Sequence, residues 1–178
     1  MKKITSSVRK VDLDKERYSV AIHEAGHAVI SHALQLPFWK IVLNKYYFWG
    51  GSMKRSKGSR ENINRGDDSR LQKEVVINMA GRVAELNLWR TKDPEIKGRI
   101  FQNSSNDFSF AYDLCYHISD NEINHSQCLK TAKQLVTSNW RAIRAVAEKL
   151  FKDGSVEYSE VVNVIKEQGK DIENKKGM

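Results

Sequence analysis

Apolar residues recur at helical spacing through most of this chain. Val20, Ala21, Ala25, Ala28, Val29 and Leu34 mark a first helix, starting near Asp12 or Asp14 and ended by Pro37. Leu71, Val75, Met79, Val83 and Leu86 mark a second, which reaches Trp89 and has Asp67 or Asp68 placed to cap it. A third helix is expected from Ser104 or Ser105 to Ile118, and a fourth over residues 121–151 with a break near Ser138. A shorter last helix is expected over 155–168. The pattern changes between the first two helices. Residues 39–43 and 46–49 are aromatic and β-branched, which favours strands, with a turn near Asn44 and a turn or bulge at Gly50 and Gly51. Residues 54–66 read as a polar surface loop and 91–103 as an irregular connection. The sum is a mainly α domain over residues 1–168 with one small β-sheet or hairpin, followed by a charged, flexible tail at 169–178.

Composition adds bounds to this picture. A chain of 178 residues suits one domain with a real core. Hydrophobic residues are 40% and charged residues 29%, as in soluble globular proteins. No run of about 18 apolar residues is present, so no membrane segment is expected. The N-terminus is basic but lacks the apolar stretch of a secretory signal, which points to the cytoplasm. Cys115 and Cys128 form no CxxC pair and read as reduced thiols, not ligands. The net charge of +8 gathers near the N-terminus, at residues 54–70 and in the tail. Such charge can favour nucleic acid, but no aromatic residues interleave with the basic ones at 54–70, and a solvated surface is the simpler expectation.

The segment from Ala21 to Val29 carries the chemistry. It contains His-Glu-Ala-Gly-His, an instance of HExxH. On a helix, residues four apart share a face, so His23 and His27 can each place a nitrogen about 2.0–2.1 Å from one zinc ion. Glu24 can then accept a proton from water whose pKa the metal lowers. Shifting the second histidine by one residue would swing it about 100° round the helix. The plain alternative is a helix that carries two histidines by coincidence. Against it, the flanking Ala and Val residues would bury three polar side chains, a cost that a metal relieves. A third protein ligand is still required. By chemistry alone the candidates are Glu74, Glu85, Asp107, Asp113, His117, Asp120 and His125, and spacing does not choose among them. Asp107 could equally well serve the helix dipole from the first turn of its helix. His32 should point off the ligand face, and Trp39, Trp49 and Trp140 are expected in the core. No GxxxxGK[ST] phosphate loop occurs.

His23 to Leu34, Ala80-Gly-Arg-Val-Ala-Glu85 and Ser105-Asn-Asp107 occur in that order, and together they resemble the peptidase domain of the FtsH family of zinc metallopeptidases. The stretches 128–136 and 142–164 resemble that family's C-terminal helices, so the resemblance covers residues 19–165. It implies a helical, zincin-like metallopeptidase fold, zinc as cofactor, protein or peptide substrates, and Asp107 as the third zinc ligand. The family's ATPase module and membrane helices have no counterpart in these residues, and Phe110-Ala-Tyr112 stands where the family has an alanine-threonine pair. The expectation is a stand-alone zinc metalloendopeptidase that cuts unfolded or flexible segments without ATP, as a homo-oligomer or with a separate ATPase partner. Rival readings are a HExxH peptidase that cleaves one repressor, and a catalytically silent zinc-containing adaptor or nucleic-acid-binding domain.

Overall fold

In a computed structural model, residues 13–44, 51–54, 67–90, 92–120 and 124–176 are described. The chain is mainly helical, with one three-stranded antiparallel sheet among these residues. The elements are α1 (Leu13–Ala33), β1 (Lys40–Leu43), β2 (Gly51–Lys54), α2 (Asp68–Trp89), α3 (Pro94–Asn103), α4 (Ser105–Tyr116), α5 (His125–Ser138), α6 (Trp140–Asp153), β3 (Ser155–Glu157) and α7 (Tyr158–Lys176).

Helix α1 is the central element, buried at every residue from Ala21 to Ser31 and packed against α2 and α6. A segment covered on all sides has no solvent-facing stripe, which is why residues 21–31 are only weakly periodic. It stops at Ala33, before Pro37, as the chain turns through Gln35 at φ 61. Ser31 Oγ donates to the Leu36 carbonyl across that turn. Helix α2 starts where an acidic cap was expected: Asp67 accepts from the Arg70 backbone N at 3.0 Å. Ile22, Ile30, Ile41, Leu71, Ile77, Met79, Ile143 and Leu150 are among the large, fully buried apolar side chains. Each contributes about 1.5–3 kcal/mol relative to exposure.

Small residues set the separation of α1 and α2. A Cβ on Gly26 would lie 2.9 Å from Ala84 Cβ and 3.0 Å from the Ala80 carbonyl oxygen, so only glycine fits at this crossing. The sheet order is β2-β1-β3, with Ile41 opposite Met53 on one side and Val156 on the other. A Cβ on Gly51 would lie 2.6 Å from Glu24 Oε1, so β2 passes directly over that carboxylate.

Several expectations are corrected. The connection at 91–103 contains α3, begun by Asp93 accepting from the Glu95 backbone N at 2.9 Å with Pro94 in its first turn. It buries only Ile100 fully, so its apolar pattern is faint. Residues 155–157 are strand β3 and not the start of a helix, and a three-residue strand is too short to show a period. Residues 169–176, set apart above as a tail, continue α7. Trp39 is 55% exposed, not in the core. The predicted strand at 46–49 and Trp49 lie outside the described residues, as does the predicted loop at 54–66 except for Lys54, which ends β2; β1 pairs with Gly51–Lys54. The predicted fourth helix is broken at Asn139 into α5 and α6, near the expected place.

Candidate metal centre

Two facing stripes, each with a four-residue step, build the site. On α1 the stripe is Ser19, His23 and His27; on the antiparallel α2 it is Ile77, Gly81, Glu85 and Trp89. A step of four keeps each set on one helix face. His27 Nδ1 meets the Ile77 carbonyl oxygen at 2.6 Å, and His23 Nδ1 meets Glu85 Oε2 at 2.9 Å. Ser19 Oγ donates to Glu85 Oε1 at 2.8 Å and accepts from Trp89 Nε1 at 2.8 Å. Between them, Gly81 leaves room. A Cβ there would stand 2.5 Å from His23 Nε2 and 2.6 Å from His27 Nε2.

These contacts decide the tautomers. A carbonyl oxygen only accepts, so His27 Nδ1 carries the proton and Nε2 keeps a lone pair when the ring is neutral. The Glu85 carboxylate acts on His23 in the same way. This outer support of histidine ligands is usual in metal sites.

Helix α4 brings the third donor. Asp107, in its first turn, places Oδ2 3.0 Å from His23 Nε2 and 3.5 Å from His27 Nε2, while the two Nε2 atoms are 3.0 Å apart. Two donors about 2.0–2.1 Å from a tetrahedral zinc ion lie about 3.3 Å from each other. The observed triangle therefore has the size of one face of such a site. Among the described residues, His23, His27 and Asp107 are the His/Cys/Asp/Glu group able to hold a metal ion.

Three lone-pair-bearing atoms converging at this distance need a cation between them. Without a metal, a proton serves. Burial alone would lower the His23 pKa, but Asp107 and Glu85 carry it well above the usual imidazole range. Burial would raise the pKa of Asp107, yet both imidazoles hold it far below the usual carboxylate range. Glu24 differs. Its burial raises its pKa, and the neighbouring His23 and His27 offset only part of that. Its Oε2 is buried with no hydrogen-bond partner among the described residues, a costly state unless a ligand or water binds there. The donor set and this orphaned oxygen fit a metal site with a base beside it.

Of the other candidate ligands, Glu85 supports His23 from behind, Glu74 is buried elsewhere on α2, and Asp113 and Asp120 are exposed. His117 caps the C-terminus of α4, and His125 stacks on Tyr112 at 3.8 Å between ring centroids. His32 packs on Tyr158, as expected of a residue off the ligand face, with Nδ1 3.0 Å from the hydroxyl. The roles of Ser19, Ile77, Gly81, Glu85 and Trp89 were not read from the sequence. The signal was present in the four-residue steps on each helix, but nothing said that the two stripes face each other.

Among known proteins, no family model and no curated sequence matches this chain.

Proposed function

We propose that the chain is a zinc-dependent endopeptidase that hydrolyses peptide bonds in unfolded or flexible protein segments. The observation that carries this reading is the convergence of His23 Nε2, His27 Nε2 and Asp107 Oδ2, with a Glu24 carboxylate oxygen, unpartnered among the described residues, buried one residue from the first histidine. His23, His27 and Asp107 would hold the zinc, which when bound supplies Lewis acidity to water and to the scissile carbonyl. Glu24 then takes the proton from the attacking water and returns it to the leaving amine. Glu85 and the Ile77 carbonyl hold the two imidazoles in the metal-binding tautomer throughout.

The ordered HEAGH, AGRVAE and SND segments support membership of an FtsH-like peptidase group. No helix among the described residues is long and apolar enough to cross a membrane.

The test compares wild type with Glu24→Gln. Both should hold about one zinc per chain. Wild type should cleave an unfolded protein such as casein, and the variant should lose at least the 10²–10⁴-fold that general-base catalysis contributes. Casein left intact by zinc-loaded wild type, or cut equally by the variant, would defeat the proposal.

A further inference from the structure

Arg82 lies next to Gly81 on α2 but touches none of the donor atoms. It is buried, and its contacts go to the junction of α3 and α4. Nε donates to Ser104 Oγ at 2.5 Å, and Nη2 donates to the Phe101 and Ser104 carbonyl oxygens at 3.2 Å each. Ser104 is the single residue between the two helices and is fully buried. Its hydroxyl donates onward to the Ile100 carbonyl oxygen at 2.6 Å. The guanidinium carbon sits 3.3 Å from the centroid of the Phe108 ring and 4.6 Å from that of Phe101. Arg82 thus grips the last turn of α3, where the helix dipole favours a cation, and the first turn of α4. Asp107 and Phe108 belong to that first turn.

We propose that Arg82 is the positioning residue for Asp107: it pins the α3–α4 junction onto α2, so that Oδ2 meets the two imidazoles. The inference rests on the zinc-site reading above. Its logic is register. Gly81 abuts the histidines and Arg82 follows it directly, so one short segment of α2 sets both the room for the metal and the place of the third ligand. Because the hydrogen bonds of the guanidinium go to Ser104 and Phe101, the Asp107 carboxylate is left to face the histidines. Lysine cannot replace it. A single ammonium lacks the planar fork that reaches a side chain and two carbonyls together.

The test is a double-mutant cycle read by zinc titration calorimetry, with circular dichroism as the check on folding. Arg82→Met should fold and bind zinc about 10–100-fold more weakly, the usual effect of losing outer support. Arg82→Lys should recover little of this. Once Asp107 is replaced by Ala, Arg82→Met should change zinc affinity less than about twofold, because its target is gone. Unchanged zinc affinity in folded Arg82→Met overturns the inference, as does the same fold-loss in both backgrounds. If Arg82→Met does not fold, Ser104→Ala removes one partner of the clamp, and the same cycle with Asp107→Ala is read in the same way. Wild-type protein that takes up no zinc overturns the metal centre itself, and this inference with it.

Discussion

Glu24 and Asp107 are both carboxylates near His23, yet their surroundings push their pKa values in opposite directions. Asp107 points at the imidazoles and keeps its charge, whereas Glu24 is buried under β2 with one oxygen unpartnered among the described residues, and its charge is disfavoured. The same contrast separates their replacements. Asp107→Asn should lower zinc affinity by more than the roughly 100-fold expected of an outer-shell change, because a neutral amide is a poor zinc ligand. Asp113→Asn, on the exposed side of the same helix, should leave zinc affinity unaltered; chelator competition measures both. A helix-dipole role for Asp107 alone would cost at most about 1 kcal/mol and leave the metal in place. Cys128 gives a second check. Burial, with the neighbouring Cys115, pushes its thiol up to about 12. At pH 8 its thiolate fraction is then about a thousandfold below that of an ordinary thiol near 8.5–9. Iodoacetamide should label Cys128 only after denaturation, as peptide mass spectrometry would show.

The glycines show how pairs of helices carry the chemistry. In a helix interior Gly→Ala ordinarily adds up to about 1 kcal/mol of stability. At Gly26 the sign should reverse. The new methyl meets the Ala80 backbone oxygen, which cannot rotate away, so α1 and α2 must part at a cost of about 1–3 kcal/mol. Gly26→Ala should therefore melt lower by several degrees while the folded fraction still takes zinc. Gly81→Ala should do the opposite. Its methyl would overlap both Nε2 atoms, so zinc uptake should fail even where the fold survives. Equal loss of zinc in both variants would mean that helix spacing alone, and not room at the donor atoms, governs the site. These two glycines stand in HEAGH and AGRVAE, and both motifs were visible. That Gly26 faces Ala80 while Gly81 faces the histidines was not, since a helical pattern marks a face without saying what covers it. Elements followed the same rule. Long periodic α1 and α2 were legible, while α3 and β3 were missed because one has little apolar surface and the other only three residues.

Across the molecule, the site ties distant parts of the chain together. His23 and Asp107 are 84 residues apart, and His23 and Glu85 are 62 apart. Zinc bound at this point would fasten α4 to α1, with α2 supporting both. Removing it should lower stability by the linkage term, about 4 kcal/mol when free zinc is a thousand times its Kd. For a chain of this size that amounts to roughly 10 °C in Tm. A melt with and without chelator checks this, and equal Tm values would mean that the three donors do not hold metal in the folded state. Local pattern alone sufficed for the mainly helical class, for His23 and His27 sharing one face, and for the Glu24 next to them, because helical spacing is a property of neighbours in the chain. The third donor was otherwise. Seven acidic or histidine side chains had suitable chemistry, and only the packing of α4 against α2 brings Asp107 to the imidazoles while leaving Asp113, Asp120, His117 and His125 elsewhere. The tautomers of His23 and His27 depend likewise on a carbonyl and a carboxylate from α2. Contacts between residues far apart in the chain leave no period in it, so they appear only once the helices are packed.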